Sequence, residues 1–238
     1  MTHTYAGTTA RLLGAGLRAL LVLTLVCGVL YPLAVTGAAQ ALFPGRADGS
    51  EITAGGRTVG SELIGQRYDL PARKGGEAPA PDLRWFQPRP SAGLSTNSVN
   101  TRYDLLVSGA SNLAGDNEEL IDRVKAARAA AVADNSVPGH RVRPQDVPPD
   151  AVTSSGSGLD PHISPAYAEL QVRRVAARNH LDAERVAELV AHHTEGRALG
   201  FVGEPRVGSG AVAAALGAYA GPLLPGSRAP AVVRLRHR

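Results

Sequence analysis

Residues 19–43 read ALLVLTLVCGVLYPLAVTGAAQALF, 25 consecutive positions without a charged side chain, with Leu20–Val35 as the apolar heart. Wound as a helix, the stretch reaches roughly 37 Å at about 1.5 Å per residue, against about 30 Å of bilayer hydrocarbon. It therefore predicts one N-terminal transmembrane helix over residues 18–40. Pro32 and the glycines do not veto it, because membrane helices tolerate both. Arg11 and Arg18 precede the stretch with no acid nearby, which predicts a cytoplasmic segment 1–17 and an extracytoplasmic remainder. The rival reading is a cleaved secretory signal, with Ala39-Gln40-Ala41 as an A-x-A site; the apolar run exceeds the usual signal length, which favours a retained anchor. Cys27 reads as a small apolar residue of the helix rather than a reactive thiol.

Beyond the anchor, 238 residues leave room for one sizeable domain, and 44% hydrophobic with 19% charged residues predicts a packed core rather than disorder. A single cysteine excludes an internal disulfide framework and the usual Cys-based zinc sites. The formal charge of +4 invites a nucleic-acid partner, but its placement argues against one. Residues 44–207 carry 19 basic and 21 acidic side chains, a net of −2, while residues 208–238 carry four arginines and no acid. The middle domain would not neutralise a run of phosphates. Ten aromatics in the whole chain also supply few base-stacking platforms. Only Lys74 and Lys125 are lysines, which fits a GC-rich genome better than an arginine-specific chemistry.

The soluble part, 41–207, reads as a mixed α/β (α+β) domain with few strands. Residues 44–70 are read as extended, with Val59, Leu63 and Ile64 as apolar points. Residues 71–84 are a Pro/Gly-rich loop, and Arg102–Ser108 has the look of a strand. Asp116 with Glu119 three later forms a capping-box pattern that opens a helix striped by Leu120, Val124, Ala127 and Ala131. Pro138–Pro149 is a second loop. Ser164 with Pro165 behind it is an N-cap opening Ala166–Asn179, and Asp182 caps a third helix with Val186, Leu189 and Val190 on its apolar face. From Gly208 the chain turns Ala/Gly/Pro-rich and ends in arginines, a composition that permits disorder.

Familiar catalytic signatures are missing: there is no GxxxxGK[ST] loop, no Asp-Lys-Thr-Gly run and no convincing Gly-x-Ser-x-Gly elbow. The nearest candidate is Ser155-Gly156-Ser157-Gly158, followed by Leu159-Asp160-Pro161-His162. Small residues here can turn backbone N–H groups toward an anion, with the helix opened by Ser164 close behind; equally, they form a tight turn in which Asp160 and Ser164 act as caps. His162, His192 and His193 could in principle meet at a metal, but adjacent helical residues point about 100° apart, so only one of His192 and His193 could face such a site. The expectation is a surface His192 and a half-buried His193, with no metal site. Arg173, Arg174 and Arg178 read as a solvated basic face, or more sharply as a docking surface for an acidic partner.

Ser154–Gln171, SSGSGLDPHISPAYAELQ, flanked by Val147-Pro148-Pro149-Asp150 and Val172-Arg173-Arg174-Val175-Ala176, closely resembles the C subunit (KdpC) family of the bacterial Kdp potassium-transporting ATPase. Further pieces match in the same order. They are Tyr31-Pro32 in the anchor, Gly60–Gln66 (GSELIGQ), Trp85-Phe86 leading to Arg89–Ala92 (RPSA), Ser108–Leu113 (SGASNL), His193–Arg197 (HTEGR) and Gly203–Val207 (GEPRV). The resemblance covers roughly residues 17–207.

The resemblance implies a single-pass subunit of the bacterial inner membrane with no catalytic residues of its own, resting against membrane lipid. It would be partnered by a channel-like potassium-binding subunit and a P-type ATPase subunit. It also implies a catalytic chaperone that raises the pump subunit's affinity for ATP, with Ser155, Gly156, Ser157, Gly158, Asp160, His162 and Gln171 as the nucleotide-linked positions. ATP would then be a cofactor only through the pump subunit. That role conflicts with the anchor's topology, which puts the domain where ATP is scarce, so contact with nucleotide requires either the opposite topology or an indirect effect. The alternative from outside the family is a secreted or anchored small hydrolase using Ser157, His162 and Asp160, although three groups within six residues seldom reach triad geometry.

Two departures from the family pattern stand out. Ala114-Gly115-Asp116-Asn117 replaces the usual Gly-Pro after Asn112-Leu113. After Val207 the family's apolar terminal strand gives way to GSGAVAAALGAYAGPLLPG, whose small residues predict an altered terminal element or a domain stabilised partly by partners.

Overall fold

The computed structural model describes residues 3–54, 57–70, 79–91 and 108–220, and the chain divides at Ser50/Glu51 into two compact units. The first unit is one helical rod. Helix α1 (His3–Leu25) passes through a π-helical turn, Val26–Leu30, into α2 (Tyr31–Leu42). The widened turn lies immediately before Pro32, whose ring lacks an N–H and crowds the carbonyl four residues back; one looser turn absorbs both problems, and Tyr31 N–H bonds Val26 O instead. Large apolar side chains from Leu12 to Phe43 stand exposed all round the rod. It is the one helix among the described residues long and apolar enough to cross a membrane, over Gly7–Leu42. Phe43 leaves helical geometry, α3 (Pro44–Ala47) adds one turn, and Gly49 and Ser50 are both at positive φ.

The second unit is the mixed α/β body. Residues read as simply extended resolve into a hairpin, β1 (Glu51–Ala54) against β2 (Arg57–Ser61), with a bulge between Ile52 and Thr53. Helix α4 (Glu118–Asn135) carries the expected stripe, but its cap is Asn117 rather than Asp116. Asn117 Oδ1 accepts the Glu119 and Leu120 N–H groups at 2.9 and 3.3 Å. The capping-box signal was right to one residue, because Asn117 is the last position with extended backbone and Asn caps as well as Asp. The strand expected over Arg102–Ser108 lies outside the described residues except for Ser108.

Helices α5 (Pro165–Asn179) and α6 (Ala183–His192) pack against each other, capped by Ser164 and Asp182 as their residue types demand. Before α5 comes β3 (His162–Ile163), and after α6 come β4 (Thr194–Glu195) and β5 (Arg206–Gly208), in a three-stranded antiparallel sheet of order β3-β5-β4. The packed body does not stop at Val207. After three residues of strand, Ser209–Ala220 forms α7, which buries Val212, Ala213 and Leu216. Alanines and glycines that cannot sustain a strand core still make a helix that packs closely: a Cβ on Gly210 would touch Ile52 of β1 at 3.6 Å, and one on Gly217 would touch Trp85 at 3.5 Å. The altered terminal element is thus a helix. The core joins α4, α5, α6, α7 and β5 through Ala131, Val172, Val175, Val186, Val207 and Leu216.

Candidate functional site

The Ser155–His162 turn is fastened from three sides. Gly109 N–H and Ser108 Oγ both donate to Ser157 O at 2.9 Å, Ser91 Oγ donates to Gly158 O, and Gly65 N–H donates to Leu159 O at 2.8 Å. Inside the turn, Ser157 Oγ accepts Leu159 N–H at 3.1 Å and Ser155 Oγ accepts Asp160 N–H at 3.4 Å. Two glycines are required here. Gly158 has φ +69 and a Cβ on it would lie 2.9 Å from Gly109 O; a Cβ on Gly65 would lie 2.6 Å from Asp160 O. Gly65, Arg89, Ser91, Ser108 and Gly109, from three of the matching pieces, therefore converge on this one turn.

Asp160 closes the turn. Its Oδ1 accepts His162 N–H at 2.9 Å and lies 3.2 Å from His162 Nδ1, while its Oδ2 sits 3.8 Å from Arg89 Nη1. Arg89 also donates to the Thr153 and Ser154 carbonyls. Asp150 receives Ser164 N–H and Oγ–H at 2.7 and 2.8 Å, so the cap of α5 is itself held in place. Asp160 and His162 are brought together as an acid–imidazole pair, but among the described residues no hydrogen bond links Ser157 to His162. The Ser157–His162 contact that a triad needs is not formed.

Gln171 is placed elsewhere. It is 0% exposed in the middle of α5, its Oε1 accepting Gln87 N–H at 2.7 Å and its Nε2 donating to Gln87 O at 3.1 Å. Beside it lies Arg174, 1% exposed, which overturns both sequence readings of that residue as part of a solvated or docking basic face; Arg173 and Arg178 are exposed. The guanidinium donates to Asn135 Oδ1, to the Leu83 and Trp85 carbonyls and to Gln171 Oε1. Asn179 Nδ2 adds a bond to Arg84 O at 2.7 Å. Gln171, Arg174 and Asn179 are thus a polar seam stitching segment 83–87 to α5. Burial draws the Arg174 guanidinium down to about 10, which leaves it protonated at neutral pH. Sequence reasoning missed this seam. The available signal was spacing: Tyr167, Gln171 and Arg174 share a face at i, i+4 and i+7 beside Ala168, Val172 and Val175.

Next to the seam a cavity of about 330 Å³ opens between α4 and segment 87–91, with Arg89, Asp134 and Tyr167 among its walls. Burial pushes the Tyr167 phenol up to about 12 and raises Asp134 against the pull of Arg174 and Arg178. No group of three or more His, Cys, Asp or Glu able to hold a metal occurs among the described residues. His192 is exposed, and His193 is half-buried with Nδ1 2.9 Å from Leu189 O, as expected.

Comparison with known proteins places these residues in context. The family model described as K+-transporting ATPase, c chain (KdpC) matches residues 13–217. The potassium-transporting ATPase KdpC subunit of Streptomyces coelicolor is 66% identical over 205 residues, covering 86% of this chain and 91% of its own. The corresponding protein of Streptomyces avermitilis is 66% identical over 199 residues (84% and 90%), and that of Kineococcus radiotolerans 49% over 193 residues (81% and 86%).

Proposed function

This chain belongs to the KdpC family of K+-transporting ATPase c chains, and from that premise we propose that it is a non-catalytic subunit which holds the potassium-binding and ATP-hydrolysing subunits in a working assembly. The observation that carries the reading is the family match from residue 13 to residue 217, which takes in the apolar helix as well as the folded body. Arg11 and Arg18 support a cytoplasmic N-terminus and an extracytoplasmic body. The effect on ATP affinity is then indirect: the chain changes the stability of one arrangement of the assembly and so the affinity of a distant site.

The fastening of the 155–162 turn and the burial of Gln171 support this over direct nucleotide binding, because Gln171 already spends both amide atoms on Gln87. A host lacking this gene is expected to lose uptake at low external potassium and to regain it with the gene restored. Normal uptake without it would overturn the proposal. Direct binding keeps one observation in its favour, the exposure of Gly156 and Ser157 ahead of α5. It is tested by labelling Cys27→Ser/Ser157→Cys and Cys27→Ser/Lys74→Cys chains in intact cells with an impermeant thiol reagent. Labelling from outside at both positions supports the indirect effect; protection of both until lysis reverses the topology and favours direct contact.

A further inference from the structure

Downstream of β4 the chain makes a short excursion, Arg197–Glu204, before returning as β5. Ala198 and Val202 pair as an isolated antiparallel bridge, each N–H donating to the other's carbonyl at 2.9 Å. Between them Leu199 has φ +55 and Gly200 φ +82, two successive left-handed residues of the kind that make the tightest hairpin turns. Gly200 adopts this without strain, whereas a leucine does so against its own Cβ. The turn holds Leu199 86% exposed, Phe201 74% and Val202 50%, none of which helps to bury the domain's core. Below the tip the hairpin is tied by two ion pairs, Arg197–Glu204 at 3.2 Å and Arg206–Glu195 at 2.7 Å.

A strained leucine and a bare phenylalanine at the end of a cross-tied stem form a pre-shaped apolar knob, with little ordering left to lose when it is covered. Its electrostatics distinguish between covers. Loops that grip a lipid surface set apolar tips among unpaired Lys and Arg that meet anionic headgroups. Here both arginines of the stem, Arg197 and Arg206, are matched by carboxylates, so the knob offers apolar shape without a cationic collar. A protein recess fits that description: a large aromatic at the centre of a small patch, rimmed by neutralised polar groups, is the usual make-up of an interface hot spot.

Resting on the assembly role above, we propose that the 198–202 tip is a docking knob that seats Leu199 and Phe201 in an apolar recess on another polypeptide of the membrane complex. The test uses the whole complex, tagged on this chain and extracted in mild detergent. The Leu199→Ser/Phe201→Ser chain is expected to reach the membrane in normal amount, to melt at the wild-type temperature and to bring down at least tenfold less of its partner subunits. Recovery of partners at the wild-type level overturns the knob. Failure of the wild-type chain itself to bring down partners overturns the assembly reading, and the knob with it. A photo-crosslinking benzoylphenylalanine at position 201 gives a readout independent of folding: an adduct with a partner polypeptide supports the proposal, and an adduct with lipid alone overturns it.

Discussion

Arg174 and Phe201 invert the ordinary rule for their residue types. The polypeptide buries the strongest cation among the side chains and exposes one of the largest hydrocarbons, and the two sites differ in what surrounds them. Around Arg174 every acceptor is supplied by the chain: two backbone carbonyls and two side-chain amide oxygens meet one guanidinium. Around Phe201 and Leu199 nothing from the described residues closes over the hydrocarbon. A buried charge whose hydrogen bonds are met internally marks a region that is complete by itself. Apolar surface held rigidly in water marks one that is not.

The sharpest way to break this comparison is to remove the charge. Arg174→Leu leaves Leu83 O, Trp85 O and Asn135 Oδ1 without their Arg174 donor, while Gln171 Oε1 keeps Gln87 N–H, and each orphaned buried group costs about 1–3 kcal/mol. The expected loss is about 3–5 kcal/mol, read as a shifted denaturation midpoint of the full chain in detergent. A loss under about 1 kcal/mol would mean that segment 83–87 is not held by the seam. Gln171→Ala removes the acceptor and donor that clamp Gln87 and takes away one Arg174 partner, so a loss of about 2–3 kcal/mol is expected. Under the indirect reading, the ATP dependence of a complex that still assembles stays at the wild-type value. Asp150→Ala frees only the cap of α5 and should cost about 1–2 kcal/mol in the same measurement.

These differences also explain what could be read from the sequence. The long apolar helix, the caps at Ser164 and Asp182 and the apolar stripes of α4 and α6 obey local rules, so they were legible residue by residue. The seam was not, because an arginine two residues from Val172 looks like any solvated arginine until Leu83, Trp85 and Asn135 arrive from elsewhere in the chain. The turn at 155–162 was legible as a turn, but its fastening to Gly65, Ser91 and Gly109 was visible only as matching motifs scattered along the sequence. The helix at 209–220 was hidden for a different reason: small residues give little periodic contrast, and their value lies in how closely they let Ile52 and Trp85 approach.

Acid titration separates two carboxylates near the seam. Arg84, bonded to Asp82 at 2.6 Å, holds that carboxyl below its usual range despite the opposing effect of burial. Its stabilising share is therefore present above the unfolded value of 3.8 and is lost as pH falls through the lower folded value. Asp134 runs the other way. Burial raises it, so the folded state binds its proton more tightly than the unfolded one, and stability falls as pH rises from 3.8 through the raised value. Asp134→Asn is expected to melt slightly above wild type at pH 7, with the advantage vanishing below the unfolded value. The gain is small, because the carboxylate is half open to water and attracted by Arg174 and Arg178. A variant less stable than wild type at pH 7 would show instead that those two arginines depend on the charge.

The smallest effect is expected at the knob, and its smallness is what gives it meaning. Leu199→Gly removes the left-handed strain of a non-glycine residue, worth about 1–2 kcal/mol, but makes the unfolded chain freer by about 0.4–1 kcal/mol, so the balance is a gain of roughly 1 kcal/mol or less. Phe201→Ser should change the midpoint by no more than about 0.5 kcal/mol, as exposed substitutions do. Both are read by the same denaturation curves as Arg174→Leu. If Phe201→Ser cost several kcal/mol, the phenylalanine would be a structural residue covered by its own chain, and the contrast with Arg174 would collapse. If instead the fold ignores the change while partner recovery falls, Phe201 acts outside its own fold, and the contrast with Arg174 stands.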